Sequence, residues 1–481
     1  MASSKNLLKE TSMPLVQFFH LGIPAFITTS ILVVLFVFLF FFQGGNPLIG
    51  SLAFNPLVLL TVSESPLVAS PSTANEAHLS SPPPNNCTYT HLNPAPQDQP
   101  DLVNDLSLLK NKNWSNGEAE EGEEDPDGDS ASCDLFDGRW VIDDSAPSYP
   151  PGSCPFVDGS FDCFRNGRPD HNYTKLRWQP KDCSIPRLEG MKMLEILRGK
   201  RLVFFGDSLN RNMWESLVCM LRSTLQDKSR VFEASGRKQF KAENSYNFTF
   251  IDYNNSIEYF RSPFLVEQSE RVDSDGRSME TLRLDLVESS LETYKDADVI
   301  IFNSGHWWTH EKTSKGINFY QEGNYLHPQL SSYDAYQKAM KTWARWIDAN
   351  IDPNRTKVFF RGFSWTHFRG GQWNSGGNCD GETDPITDDK HLAKYPALTK
   401  ILESVLEEMT TPVLYLNITR MTDYRKDGHP SIYNLPAGRR KAGAIQDCSH
   451  WCLPGVPDAW NELLYVMLLR SSGDEIISSF Q

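Results

Sequence analysis

Four short, uncharged apolar runs, each stopped by small or polar residues, constrain this chain more than any other feature of its sequence. They are Leu202-Val203-Phe204-Phe205, Val299-Ile300-Ile301-Phe302, Val358-Phe359-Phe360 and Val413-Leu414-Tyr415-Leu416. Runs this short without polar alternation read as strands buried on both faces. Helical stripes lie between them: Leu209, Met213, Leu217 and Leu221, then Tyr336, Met340, Trp343 and Ile347, then Leu398, Leu402, Val405 and Met409. Strands alternating with helices imply right-handed crossovers and a mainly parallel sheet covered on both sides, an α/β fold. Between the first two runs, Tyr246, Phe248 and Phe250 alternate, Asn254-Asn255 marks a turn, and Ile257 and Tyr259 alternate again, which predicts a hairpin.

In such sheets chemistry sits beyond the carboxyl ends of the strands. Gly206-Asp207-Ser208, Asn303-Ser304-Gly305-His306, Arg361-Gly362-Phe363-Ser364 and Asn417-Ile418-Thr419-Arg420 each follow a strand and are expected along one edge. Ser208 stands where a strand turns into a helix, so its hydroxyl projects while the first helical amides point at whatever it attacks. It is the candidate nucleophile, although Asp207 and Ser208 would equally suit a plain helix cap. A serine needs a base, and the base needs an acceptor to fix its tautomer. Among His171, His306, His310, His327, His367, His391, His429 and His450, the last stands out because Asp447 precedes it by three residues in Asp447-Cys448-Ser449-His450-Trp451-Cys452. His429, in Asp427-Gly428-His429-Pro430, is second, with a spacing better suited to a turn. Cys448 and Cys452, bridged to distant cysteines, would hold the loop of the base in place. A Cys-x-His-x-Cys metal site is the alternative there, but no fourth ligand of regular spacing is evident and no metal is expected.

The formal net charge is −15, which argues against binding bare nucleic acid through the whole surface, and part of it comes from the acidic run 118–129. Residues 22–42 carry no charge and exceed the ~20 residues needed to span a bilayer. A cleaved signal peptide is the competing reading, but the core is long and no small-x-small site follows it. Lys5 and Lys9 precede the segment and no Lys or Arg follows until Lys110, so residues 1–21 are expected in the cytosol and the bulk of the chain in the secretory lumen. Residues 43–131, rich in Pro and then acidic, should form a disordered stem. Residues 132–190 read as a loop-rich, disulfide-held segment and 191–481 as the catalytic domain. Cys133, Cys154, Cys163, Cys183, Cys219, Cys379, Cys448 and Cys452 form an even set that suits an oxidising compartment, with Cys87 left over and connectivity open. Glycosylation sequons at Asn86, Asn113, Asn172, Asn247, Asn254, Asn354 and Asn417 agree with luminal exposure.

Gly206-Asp207-Ser208 with the late Asp447-x-x-His450 is one of several ordered blocks. The others are Cys133-Asp134-Leu135-Phe136-Asp137-Gly138-Arg139-Trp140, Asn166-Gly167-Arg168-Pro169-Asp170, Arg177-Trp178-Gln179-Pro180, Gly305-His306-Trp307-Trp308 and Tyr424-Arg425-Lys426-Asp427-Gly428-His429-Pro430-Ser431. In these blocks the chain resembles the plant trichome birefringence-like family of PMR5 type, relatives of the SGNH/GDSL esterases. The resemblance implies an SGNH-like three-layer sandwich. It also implies a single-pass Golgi protein with a luminal domain that O-acetylates a cell-wall polysaccharide such as pectin or hemicellulose. Ser208, His450 and Asp447 would form the triad, and the Ser208 amide, Asn303 and Gly305 the oxyanion site. No cofactor would be bound; an acetyl donor, acetyl-CoA or a derived carrier, would be a co-substrate.

Trp307, Trp308, Trp373 and Trp451 are candidate platforms for sugar rings, with core packing as the ordinary alternative, and Arg361 could meet a uronate carboxylate or make a structural ion pair. Two rivals share these residues: an acetylesterase with the same triad, and a non-enzymatic pectin-binding protein that bridges or protects the wall polymer.

Overall fold

The strand Arg201–Gly206 shows why the chain layers as it does. Its side chains alternate, so Leu202 and Phe204 enter one apolar core while Val203 and Phe205 enter another on the opposite face. A strand apolar on both faces needs a layer of cover on each side. The computed structural model describes residues 133–237, 243–272, 275–441 and 443–471. The expected cytosolic tail, membrane segment and stem, together with Cys87, Asn86 and Asn113, lie outside those residues. Among the described residues, no helix is long and apolar enough to cross a membrane.

In chain order the strands and α-helices are β1 (Gly138–Ile142), β2 (Leu176–Pro180), α1 (Gly190–Ile196), β3 (Arg201–Gly206), α2 (Ser208–Thr224), β4 (Val231–Glu233), β5 (Ser245–Phe250), β6 (Asn255–Arg261), β7 (Val266–Val272), β8 (Ser278–Val287), α3 (Leu291–Tyr294), β9 (Val299–Phe302), β10 (Tyr320–Glu322), β11 (Tyr325–Leu326), α4 (Ser332–Asn350), β12 (Lys357–Arg361), α5 (Ala397–Glu407), β13 (Val413–Leu416), α6 (Thr419–Asp423) and α7 (Val456–Ser471). The main sheet has seven strands in the order β13-β12-β9-β3-β6-β5-β4. Its first five strands run parallel, and β5 and β4 add to the edge in antiparallel fashion. The four apolar runs are β3, β9, β12 and β13, side by side at the parallel end. The expected hairpin is β5–β6, closed through Asn254 in the left-handed region (φ 49°), but β6 also pairs in parallel with β3 and so joins the centre of the sheet.

One face is covered by α1, α2 and α7, whose Met193, Leu217, Trp460 and Leu464 share a core with Leu202 and Phe204. The other is covered by α4 and α5, where Met340, Trp343, Leu402 and Val405 meet Val203, Phe205 and Ile300. Each such large side chain, once buried, contributes ~1.5–3 kcal/mol. Two elements go beyond the sequence reading. Helix α7 is enclosed around most of its circumference, so it shows no one-sided stripe. A second sheet, β11-β10-β8-β7, leans on α4, where Thr342 donates to the carbonyl of Leu284 (2.6 Å).

The N-terminal segment is held as its composition suggests. Cys133–Cys183 brackets the β1–β2 pair, Cys154–Cys219 ties the following loop to α2, and Cys163–Cys452 and Cys379–Cys448 fasten the loop that contains His450 from both flanks.

Candidate active site

The turn between β3 and α2 is built by short-range hydrogen bonds that leave one hydroxyl outside them. Asp207 caps α2, its Oδ1 accepting from the amide of Leu209 (2.9 Å). From the end of β9, Asn303 grips Asp207 twice: its Oδ1 accepts from the Asp207 amide (3.0 Å) and its Nδ2 donates to Asp207 Oδ1 (2.7 Å). Gly206 permits that approach, since a Cβ there would lie 1.9 Å from Asn303 Oδ1. Ser208 is then the first residue of a seventeen-residue helix. Among the described residues, neither its amide nor that of Gly305 has a hydrogen-bond acceptor.

The hydroxyl of Ser208 donates to His450 Nε2 (2.7 Å), and His450 Nδ1 donates to Asp447 Oδ2 (2.8 Å). Ser208 and His450 are 242 residues apart in sequence. The carboxylate on Nδ1 fixes the tautomer with a lone pair facing the serine. Asp447 Oδ1 is occupied as well, accepting from the amides of His450 (3.0 Å) and Ser449 (3.2 Å). Burial would push the Asp447 carboxyl up, but the adjacent His450 and these hydrogen bonds outweigh burial and hold it well below the ordinary range.

The loop under His450 is pinned almost peptide by peptide. The amide of His367 donates to the carbonyl of Cys448 (3.0 Å), and the amide of Cys452 donates to the carbonyl of Gly428 (3.0 Å). The buried side chain of Asn212, on α2, accepts from the amide of Trp451 (2.8 Å) and donates to its carbonyl (3.1 Å). The residue four along the helix from the serine thus orients the loop of its partner.

Ser208, Asp447 and His450 open onto a cleft of about 590 Å³, walled in part by Ser160, Phe161, Tyr259 and Leu435. Trp307 lines it, with the Arg261 guanidinium 5.2 Å and the Lys312 Nζ 4.5 Å from its ring centroid. Among the described residues, no carboxylate makes an ion pair with either cation.

The five candidate substrate contacts separate by burial. Trp307 lines the cleft. Trp373 is 39% exposed and walls a neighbouring cleft of about 640 Å³ that shares Asn434 and Leu435 with the first. Trp308, Trp451 and Arg361 are corrections, because side chains 3%, 0% and 1% exposed cannot act as a surface for sugar. Trp308 donates to Ser304 Oγ (2.8 Å) within the core, and Trp451 donates to Ser364 Oγ (2.9 Å). Arg361 lies behind the turn, with Nη2 3.8 Å from Asp207 Oδ1 and Nη1 donating to the carbonyl of Gly362 (2.7 Å). Burial pulls its guanidinium down to about 10. Asn303 is a fourth correction: 1% exposed and turned to Asp207 with both ends of its amide, it positions the turn rather than facing the cleft.

His306 is half-buried, donating from Nε2 to the carbonyl of Ser364 (2.6 Å) and stacking on Phe363 at 4.4 Å, and desolvation lowers it to about 4. Asn212, Arg261 and Lys312 were not singled out from the sequence. The two cations lie in a loop or at a strand end without periodicity, and Asn212 sits in the polar run Asn210-Arg211-Asn212 at the start of α2, which reads as an ordinary first turn.

Comparison with known proteins supplies independent evidence. Residues 185–467 match the PC-Esterase model, a GDSL/SGNH-like acyl-esterase family found in Pmr5 and Cas1p, and residues 131–184 match the PMR5 N-terminal domain. Among curated relatives, Protein trichome birefringence and Protein trichome birefringence-like 1 of Arabidopsis thaliana are each 58% identical over 342 residues, 70% of this chain. The matched region covers 56% and 62% of their respective lengths. Protein trichome birefringence-like 4 of the same plant is 58% identical over 349 residues, covering 71% of this chain and 76% of the relative.

Proposed function

Because the chain belongs to the plant trichome birefringence-like family and carries its GDSL/SGNH-like acyl-esterase domain, we propose that it transfers an acetyl group through Ser208 to a hydroxyl of a cell-wall polysaccharide. The observation that carries this reading is the hydrogen-bonded series from Ser208 Oγ through His450 to Asp447, at 2.7 and 2.8 Å.

His450 Nε2 takes the hydroxyl proton as Ser208 Oγ attacks the carbonyl carbon of the acetyl donor, acetyl-CoA or a derived carrier. The amides of Ser208 and Gly305 are the free donors for the resulting oxyanion, and one well-aimed donor of this kind is worth ~3–4 kcal/mol. Collapse expels the donor's leaving group, which takes the proton from His450, and leaves acetyl-Ser208. A sugar hydroxyl then gives its proton to His450, attacks the ester and departs as the O-acetyl product, while Ser208 regains a proton. Asp447 stays ionised throughout and stabilises the imidazolium. Trp307 offers a flat apolar face to the acceptor, and Arg261 and Lys312 beside it suit an acidic sugar better than a neutral one. The protein would work as a single-pass type II Golgi protein with this domain in the lumen, its anchor being the apolar segment 22–42.

Water can attack acetyl-Ser208 as readily as a sugar, and the acyl-esterase character of the family model makes hydrolysis the second reading. The test is to incubate the full chain with labelled acetyl donor and a panel of deacetylated wall oligosaccharides. Label on sugar in the wild type and none with Ser208→Ala supports transfer. Free acetate alone supports the esterase, and glycan binding without turnover in either protein supports a binding role.

A further inference from the structure

Behind the base lies a pair of histidines whose proton count is fixed by their partners. His429 Nδ1 is 2.7 Å from the backbone carbonyl of His450, and His367 Nε2 is 2.9 Å from the backbone carbonyl of Asp423. A carbonyl oxygen only accepts, so both of these nitrogens carry hydrogen. The remaining nitrogens, His429 Nε2 and His367 Nδ1, face each other at 2.7 Å. Two neutral rings with their hydrogens on the outer nitrogens would set two lone pairs against each other at that distance. Three hydrogens on two rings resolve this, giving one imidazole and one imidazolium joined by a charge-assisted bond.

The surroundings suit one positive charge. Asp423 Oδ1 lies 3.7 Å from His367 Nε2, its Oδ2 accepting from the amide of Ala393 (2.7 Å). Trp451 stacks under His429 at 4.1 Å. Other charges on packed elements are paired elsewhere: Arg168, which donates to the His429 carbonyl (2.9 Å), with Asp170 at 3.2 Å, and Arg425 with Asp427 at 2.8 Å. Asp447 and His450 face His429 from the loop itself. Burial and the neighbouring His367 hold His429 well below its ordinary range, which disfavours placing the charge on that ring.

We propose that His429 and His367 are a positioning pair that shares one ring proton, and that this proton holds the His450 carbonyl, and with it the Asp447–His450 loop, in the geometry acyl transfer needs. The inference rests on the acyl-transfer reading for its consequence but not for its chemistry. Removing the proton at high pH leaves two lone pairs opposed, so one ring must turn and release its carbonyl. When the ring that turns is His429, the His450 carbonyl loses the hydrogen bond that holds it, and only the amide of the base stays tied, to Asp447 Oδ1. His367→Asn dissolves the constraint, because its amide can donate to His429 Nε2 without an added proton.

The test uses the full chain labelled with ¹⁵N-histidine. Nuclear magnetic resonance should show one strongly deshielded ring proton coupled to two imidazoles, present in wild type and in Ser208→Ala, absent in His367→Asn and His429→Phe, and lost in one step as pH rises. The kcat for acetyl transfer should fall on the alkaline side in the same step with little change in KM, and His367→Asn should flatten that limb. His429→Phe should lower kcat tenfold or more; should it fail to fold, the spectrum and His367→Asn decide. Two independently titrating neutral rings, or a His367→Asn profile superimposable on wild type, would overturn the proposal. Loss of the acyl-transfer reading, seen as full turnover by Ser208→Ala, would leave the spectral signature standing.

Discussion

Replacing Asp447 by Asn probes the site through a single atom. Oδ1 of Asp447 accepts from two backbone amides while Oδ2 accepts from His450 Nδ1. An Asn side chain keeps its oxygen on the two amides, which have no other acceptor, and so turns its NH₂ toward His450 Nδ1. A donor there forces the imidazole to present a lone pair on Nδ1 and carry its hydrogen on Nε2, facing Ser208. The base then meets the serine with a proton already in place. In a serine–histidine–aspartate arrangement such a tautomer error lowers kcat ~10⁴-fold, which at ~1.36 kcal/mol per factor of ten is about 5.4 kcal/mol of lost barrier reduction. The fold should survive, since volume and both backbone contacts are kept, so the melting temperature should shift by only a few degrees. Single-turnover acetylation of Ser208, read by mass spectrometry against a thermal melt of the same sample, separates the two effects. A variant that acetylates within tenfold of wild type would refute the assigned role of Asp447.

Other consequences follow from the same geometry. Gly206→Ala places a methyl 1.9 Å from Asn303 Oδ1, so it should destabilise the domain by ~2–4 kcal/mol through displacement of that amide, and differential scanning calorimetry would register it. Trp307→Ala should raise KM for the glycan acceptor roughly tenfold while leaving the rate of Ser208 acetylation by donor unchanged, a split that stopped-flow kinetics with and without acceptor can read. His306 is held down at about 4, below the ~6.5 of an unfolded histidine, so between those values the unfolded chain binds the extra proton. Stability should therefore be full above about pH 6.5 and decline as pH falls toward 4, by at most ~3 kcal/mol from this ring. His306→Gln should reduce the acid sensitivity in chemical denaturation series run across that range.

The sequence made the parallel half of the sheet legible because β3, β9, β12 and β13 are apolar on both faces and need two layers of cover, a pattern that period and length reveal. It did not reveal α7, whose apolar residues surround the helix, nor the second sheet, where β7 is mostly polar (Val-Glu-Gln-Ser-Glu-Arg-Val) and β10 and β11 are only three and two residues long. At the site, Ser208 and the Asp447–His450 spacing could be picked out as local signatures. The turn that presents Ser208 depends on Asn303, 96 residues away from Asp207, and the loop that presents His450 depends on Asn212, 239 residues from Trp451. Such contacts leave no periodic trace. Burial reassigned Trp308, Trp451 and Arg361 because an aromatic or cation in a loop reads the same from sequence whether it faces solvent or core.

The most direct measurement of the central claim is to give the full chain an isotopically labelled acetyl donor without any glycan, quench in acid, and map the label by peptide mass spectrometry. The account predicts one acetyl group on Ser208, absent in His450→Ala, that moves to oligosaccharide when acceptor is added before the quench. Label transferred to glycan with Ser208 never modified, or transfer undiminished in His450→Ala, would contradict it.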